Sequence, residues 1–303
     1  MGAAQARRSQ AVIRCPLCGG DTATAFSVGD RNRGFGHERF EYRRCSSCRS
    51  YHLADPPDDL ARYYPAGYYR LPPAEDLDRQ ASAEAPRLRS LASFASGGRL
   101  IDVGAGHGVF ARAARNAGFE VTAIEMDRRC CDYLERVVGV QAIRSGDPAH
   151  ALIGLEPARA ITLWHVLEHL PSPWEVLEAA AERLEPGGAL VVATPNPDSL
   201  QFSLLQGRWP HVDAPRHLFL IPLAALGDQA RRRGLRLAHV TSRDPAGIQL
   251  NRFGWEYFLR GLRGQRPSWR GLWTLTTLLT GLLAPLERRG LRGAAYTATF
   301  VKS

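Results

Sequence analysis

The chain has 303 residues, 45% of them apolar, and its formal net charge of +9 comes almost wholly from arginine. That apolar content suffices for a packed core, which excludes a disordered tail or a disulfide-stapled miniprotein, and the length exceeds one compact α/β domain, so an accessory module is expected. Arg7 and Arg8 are followed by no apolar run, which excludes a secretory leader and makes a cytoplasmic location the default, while the basicity suits an acidic partner such as RNA, a nucleotide-linked substrate or an anionic membrane surface.

The first local signal is a pair of knuckles, Cys15-Pro16-Leu17-Cys18 and Cys45-Ser46-Ser47-Cys48, separated by an alternating polar and apolar stretch suited to hairpins. Four thiolates can close a tetrahedral site, and a segment this small would draw much of its folding energy from the metal. Disulfides are the rival reading, disfavoured in a cytosolic chain. The expectation is a zinc-ribbon-like module over 1–56 in which Cys15, Cys18, Cys45 and Cys48 hold structural Zn2+, with Arg49 standing where a second knuckle usually has glycine. Pro56 and Pro57 begin a linker, 57–90, carrying Tyr63, Tyr64, Tyr68 and Tyr69 around Pro65-Ala66-Gly67. These rings either face a cation or pack the linker onto the core. Cys130 and Cys131, further on, read as packing residues.

A core over 91–248 follows. Arg99 to Val103 reads as a short strand, Val109 to Ala117 as the helix leaving it, and Gly104, Gly106 and Gly108 lie between. Glycines there permit positive φ and let the backbone approach a ligand, and the helix start offers free N–H groups. The strand Phe119 to Ile124 is closed by Glu125, a carboxylate able to accept from both hydroxyls of a ribose. The site suits a nucleoside, but Val109 replaces the third glycine of a dinucleotide fingerprint. With Lys302 as the only lysine, a P-loop is excluded. What remains, Asp102-x-Gly104-x-Gly106-x-Gly108, resembles the first motif of class I S-adenosylmethionine-dependent methyltransferases.

The later segments extend that resemblance. Gln141 to Ile143 is a short strand before Gly146-Asp147, and Ala160 to Trp164 another, running into His165-Val166-Leu167-Glu168-His169-Leu170-Pro171. This string is similar to the fourth-strand motif of the quinone-biosynthesis type of methyltransferase. Trp174 to Leu184 has helical spacing, Pro186-Gly187-Gly188 is expected to stop it, and Ala189 to Ala193 is a buried strand. The resemblance implies a Rossmann-like, doubly wound α/β sheet and an S-adenosyl-L-methionine site. Asp102 and the glycine loop would hold the methionine end, Glu125 with Met126 beside it the ribose, and Asp147 the adenine amino group, with His165 at the cofactor edge. A turn is the alternative for Asp147.

The module, the tyrosines and the core together resemble a family common in polysaccharide and natural-product gene clusters and, in part, the nucleotide-sugar C-methyltransferases. Methyl transfer asks the protein mainly to align the acceptor and remove its proton. In the sugar enzymes a segment like Trp209-Pro210-His211-Val212-Asp213-Ala214-Pro215-Arg216-His217 carries the base, which implies His217, with His169 the second candidate. The alternative is that His217 bridges the loop and Arg216 pairs locally with Asp213. The sugar enzymes carry a further domain after the core, so a sugar acceptor is disfavoured here.

Leu235 to Thr241 and Ala295 to Val301 read as the last strands, and the stretch 249–292 between them as a helical insert before the final segment, 293–303. Leu272, Leu275, Leu279, Leu282, Leu283 and Leu286 recur at helical spacing, with Trp255, Phe258, Trp269 and Trp273 nearby and Arg263, Arg266, Arg270, Arg288 and Arg289 flanking. The insert is either a hairpin packed over the substrate pocket or an interfacial helix giving peripheral membrane contact. The expected activity is methyl transfer to O or C of a small molecule: a glycan precursor, a lipid-linked intermediate or a secondary metabolite. The alternative is an RNA methyltransferase or nucleic-acid module. The scattered arginines, and the few aromatic neighbours of Arg31, Arg33, Arg43 and Arg44, weigh against it.

Overall fold

The computed structural model describes residues 13–65, 68–243, 245–262 and 269–303. Arg7, Arg8, Ala66, Gly67, Arg263 and Arg266, and the side chains of Trp269, Arg270 and Leu272, lie outside the described residues.

In chain order the strands and helices are β1 (Thr22–Val28), β2 (Phe40–Cys45), β3 (Tyr51–Leu53), α1 (Ala74–Ala83), α2 (Ala85–Ala92), β4 (Gly98–Val103), α3 (Val109–Asn116), β5 (Phe119–Glu125) and α4 (Arg128–Tyr133). Then come β6 (Gln141–Arg144), α5 (Pro148–Ile153), β7 (Ala158–Trp164), α6 (Pro173–Arg183), β8 (Leu184–Pro195), α7 (Leu200–Leu205) and β9 (Phe219–Leu220). The chain closes with α8 (Leu223–Arg232), β10 (Leu235–Thr241), α9 (Pro245–Leu262), α10 (Trp269–Glu287) and β11 (Ala295–Lys302).

Seven strands form one sheet in the order β10-β11-β8-β7-β4-β5-β6, parallel from β8 to β6, with β11 antiparallel to both neighbours. Helices cover both faces, so the central strands read as near-continuous apolar runs: Leu100 and Ile101, Ile161 and Leu163, and Leu190 to Val192 are all essentially inaccessible. The chain builds β4, β5 and β6 outward in one direction and then returns to place β7 and β8 on the other side of β4. The crevice beyond the carboxyl ends of β4 and β7 is therefore a topological switch point, where folds of this kind bind ligands.

A second, four-stranded sheet has the order β1-β2-β3-β9. Its first three strands come from the cysteine-bearing segment and its fourth from the core, with Leu53 N–H donating to the Leu218 carbonyl at 2.9 Å. Trp174 on α6 adds an indole bond to the Leu17 carbonyl at 2.8 Å, so residues 13–56 share their sheet and their core with the rest of the chain.

Three elements differ from the sequence reading. The linker contains α1 and α2, which drive Leu77 and Leu91 into the core and tie to α3 through Asp78 and Arg112 at 2.8 Å. Pro186-Gly187-Gly188 does not stop a helix: α6 has already ended at Arg183, and β8 runs through the glycines with Gly187 at φ +72°. In the insert, α9 and α10 pair as a hairpin, but the leucine stripe divides. Leu279 and Leu283 pack against the core, whereas Leu282 and Leu286, together with Leu278, are exposed. An i, i+4 row covers less than half of a helix circumference, and the predicted stripe spans two rows.

Candidate active site and metal centre

The glycine loop forms the floor of the crevice. Gly104, Gly106 and Gly108 all take positive φ, at +68°, +55° and +74°, and a Cβ on Gly104 or Gly108 would lie 2.4 Å from Val166 or 2.5 Å from Leu134. Only glycine satisfies both the conformation and the spacing. Glu125, at the end of the adjacent strand, accepts from Gly106 N–H through Oε2 at 2.8 Å and from Met126 and Asp127 N–H through Oε1 at 2.8 and 2.9 Å. A carboxylate has about four acceptor positions, so Glu125 both fixes the loop and keeps capacity for a ligand hydroxyl. Burial raises its pKa against the pull of those three amides.

Met126 is 59% exposed beside it, an apolar surface on which a flat ring can lie. Asp147 is exposed and caps α5, accepting from His150 N–H at 3.1 Å. Asp102 is 1% exposed and accepts from Thr162 Oγ1 at 2.7 Å; burial raises its pKa to about 7, the Thr162 bond opposing. Trp164, at the carboxyl end of β7, packs on Phe110 with centroids 5.0 Å apart, and its buried indole N–H has no hydrogen-bond partner among the described residues. It is a donor left unused at the crevice.

Over the glycine loop stands a row of aromatic rings. The Tyr69 ring is the nearest group to a Cβ built on Gly106, at 3.4 Å, and Tyr68 meets Tyr69 and Tyr64 with centroids 5.2 and 4.9 Å apart. Tyr64 reaches His169, its hydroxyl 3.0 Å from Nδ1, and the His169 ring meets His217 edge-on at 4.5 Å. Burial raises the pKa of the Tyr64, Tyr68 and Tyr69 phenols, which keeps them neutral. Tyr64, Tyr68 and Tyr69 thus pack against one another, with Tyr69 over the glycine loop.

His217 has a defined tautomer. Its Nδ1 lies 2.8 Å from the His211 carbonyl, which only accepts, so Nδ1 carries a proton. His169 Nδ1 lies 3.0 Å from both the Tyr64 hydroxyl and the Arg216 carbonyl; burial, with His217 beside it, lowers its pKa to about 4. His165 takes φ +58°, rare for a residue with a side chain, and its Nδ1 is 3.5 Å from Glu168 Oε1.

Glu168 is the functional candidate the sequence reading passed over. It is fully buried, accepts from Thr194 Oγ1 at 2.9 Å, and one of its oxygens lies within 4.8 Å of ring nitrogens of both His169 and His217. Burial would raise its pKa, but the imidazoles on three sides lower it to about 2. A buried carboxylate here can stabilise positive charge formed on a neighbouring imidazole.

The His217 loop also holds a buried ion cluster. Arg216 bonds Asp213 locally, as the alternative reading of the loop had it, and in addition Asp30 from the cysteine segment, with Nη2–Oδ1 distances of 2.7 Å to each.

The four cysteines come together at the far end of the small sheet. All are free thiols, with Cys15 Sγ 3.7 Å from Cys48 Sγ, Cys18 Sγ 3.5 Å from Cys45 Sγ, and all four sulfurs within 4.8 Å of one another. A tetrahedron with Zn–S bonds of about 2.3 Å has edges of roughly 3.8 Å, whereas a disulfide needs about 2.05 Å. The donor set and its spacing fit zinc.

The chain matches the family described as a methyltransferase domain over residues 75–240. It belongs to that family. Ubiquinone biosynthesis O-methyltransferase from Xylella fastidiosa is 34% identical over 118 residues, covering 36% of this chain and 46% of that protein. The enzyme of the same name from Vibrio cholerae is 30% identical over 105 residues, covering 33% and 43%. The chain thus spans about half the length of the curated relatives it matches. Among solved structures, a SAM-dependent methyltransferase from Archaeoglobus fulgidus aligns with TM-score 0.50 at 17% identity, over 75% of this chain and 97% of that one. A putative sarcosine dimethylglycine methyltransferase from Galdieria sulphuraria aligns with TM-score 0.51 at 19% identity, over 74% and 86%. At such identities these two show the fold, which is the seven-stranded class I architecture derived above.

Proposed function

We propose that the protein transfers a methyl group from S-adenosyl-L-methionine to an oxygen or carbon of a small-molecule acceptor, with His217 as general base. The observation that carries this reading is the continuity of the site: one row of rings leads from the glycine loop at the switch point to an imidazole whose Nδ1–H is held by the His211 carbonyl. When bound, the cofactor supplies a methyl group on a positively charged sulfur. Asp102 and the loop from Gly104 to Gly108 would hold its methionine end, Glu125 with Met126 beside it the ribose, and Asp147 the adenine amino group, with His165 at the cofactor edge. The neutral tyrosine faces favour a cation and exclude water. His217 Nε2 would take the acceptor proton as the bond to the methyl group forms, and the imidazolium would be stabilised by Glu168. Cys15, Cys18, Cys45 and Cys48 would hold a structural Zn2+ ion.

Calorimetric titration with S-adenosylmethionine and S-adenosylhomocysteine tests the cofactor assignment. Micromolar binding is expected, and Glu125→Ala should weaken it by ~10- to 150-fold, the ~1.5–3 kcal/mol of a hydrogen bond to a charged group. Absence of binding to the wild-type protein would remove the reading.

No helix among the described residues is long and apolar enough to cross a membrane. The exposed row Leu278, Leu282 and Leu286, 66%, 75% and 43% accessible, with Trp273 at 59%, favours a second role for α10 at an anionic lipid surface. The intact protein should then float with anionic liposomes, and Leu278→Glu with Leu282→Glu should abolish flotation. Failure of the intact protein to float ends this reading. The nucleic-acid alternative finds no comparable observation among the described residues.

A further inference from the structure

The cysteine segment grips the His217 loop at five successive points. The Asn32 side-chain amide donates to the Pro210 carbonyl at 2.8 Å and to Asp213 Oδ1 at 2.6 Å. Asp30 accepts from Arg216 at both oxygens, at 3.0 and 2.7 Å. The Tyr42 hydroxyl donates to the carbonyl oxygen of His217 itself at 2.6 Å, and the Leu53 amide donates to the carbonyl of Leu218 at 2.9 Å. Between Pro210 and Leu218 the loop has one short helical turn, with Asp213 at φ +39°, and the core holds it at Leu218, whose N–H donates to the Glu168 carbonyl at 2.8 Å, and at the Arg216 carbonyl, 3.0 Å from His169 Nδ1.

These contacts are costly ways to gain stability. The Asp30 and Arg216 side chains are both fully buried, and a buried ion pair commonly contributes no more than well-packed apolar groups of the same volume. What such a pair supplies is a single register. The groups that grip the loop are carried by the β1–β2 hairpin, whose pairing runs from Thr22 opposite Cys45 at the knuckle end to Val28 opposite Phe40 at the loop end. The metal site closes one end of that hairpin, and Asp30 and Asn32 leave the other.

We propose that Asp30, Asn32 and Tyr42 are positioning residues for His217, and that metal in the four-cysteine site sets the placement of the imidazole through the hairpin that carries them. The catalytic meaning of this coupling rests on His217 being the base; the coupling itself does not. Loss of the metal would loosen the hairpin register, release the carbonyl of His217 and let the loop sample other conformations, while the glycine loop and Glu125, on the other side of the crevice, stay in place.

The test uses the full chain as purified with its metal, with 15N-labelled histidine, and S-adenosylhomocysteine as the only ligand. His217→Ala assigns the imidazole signals by difference. In Tyr42→Phe and Asn32→Ala, amide hydrogen exchange over 210–218 is expected to accelerate roughly tenfold, as for loss of one buried hydrogen bond. The His217 ring nitrogens should move from a fixed Nδ1–H signature toward a tautomer mixture. S-adenosylhomocysteine affinity and zinc content should be unchanged. Zinc removal by a chelator should reproduce both the exchange and the ring changes. Asp30→Asn is the stronger variant, and the two milder ones decide the matter where it does not fold. Unchanged exchange and ring signals in Tyr42→Phe and Asn32→Ala, or their persistence after zinc removal, would overturn the proposal. Retained methyl transfer by His217→Ala is a separate result: it would remove the catalytic meaning and leave the coupling standing or falling on the exchange data.

Discussion

Replacing His217 with Ala is expected to lower methyl transfer by ~10²- to 10⁴-fold, the usual worth of a positioned general base, while leaving S-adenosylhomocysteine affinity close to that of the wild type. The separation follows from where the ring sits. The tyrosine row lies between it and the glycine loop, and its Nδ1 hydrogen bond goes to the His211 carbonyl within its own loop. Truncation therefore removes no group that Glu125 or the loop depends on. His217→Gln is the useful companion, since it keeps polar bulk without a basic nitrogen; it should be as inactive as the alanine variant. Radiolabelled methyl transfer checks both. If His217→Ala retains activity, the base is elsewhere, and His169 is the next group to replace, although burial lowers its pKa to about 4 and makes it the weaker base.

The parts of this site that could be read from the sequence are those whose chemistry is local. A strand, three glycines and a helix specify a backbone, and Glu125 falls one strand later, so the crevice was legible without knowing its neighbours. The two cysteine pairs were legible for the same reason, and the fold brings their four sulfurs within 4.8 Å of one another. Helix α1 was not legible, because Pro73 precedes it without a side-chain cap and it buries only Leu77 and Ala81. Strands β3 and β9, with three and two residues, are too short for any periodicity to show.

Glu168 stood in plain view inside the fourth-strand string. In a stretch of histidine, glutamate and proline between a strand and a helix, a carboxylate reads as solvated, and only the folded chain reveals that Thr194 and the imidazoles enclose it. The Asp30–Arg216 pair spans 186 residues of sequence, and nothing near either residue announces the other. The local Arg216–Asp213 contact, the alternative reading of this loop, is present, but it is half of a cluster whose other half belongs to the cysteine segment.

That cluster sets the second large expectation. Arg216→Ala should destabilise the protein by ~3–5 kcal/mol, the cost of leaving buried charge without its partner, because Asp30 and Asp213 would both lose their guanidinium. Denaturant unfolding of the two proteins measures it. The pH dependence distinguishes this cause from simple loss of packing. In the wild type, burial would raise the Asp213 pKa, but Arg216 with His217 outweighs it and holds the carboxyl at about 2; at Asp30, burial is likewise outweighed, by Arg216 and the amides of Arg33 and Phe35, and the pKa is lowered. Carboxyls depressed on folding contribute stability that is present above their unfolded pKa, near 4, and is lost as pH falls toward the folded value. His169 and His211 act at higher pH. Burial lowers both to about 4, so between roughly pH 6.5 and 4 the unfolded chain takes up protons that the folded one refuses, and stability falls through that window as well. Wild-type stability should therefore decline on acidification from pH 7, first through the histidines and then through the aspartates. In Arg216→Ala the aspartates lose the charge that held them ionised, and burial then pushes their pKa upward. The variant can relieve its unpaired charge by protonation, so its deficit relative to wild type should be largest near neutral pH and should shrink as pH falls below about 5. A deficit that stays constant with pH would mean that Arg216 acts there through its volume, with the ion pair contributing nothing.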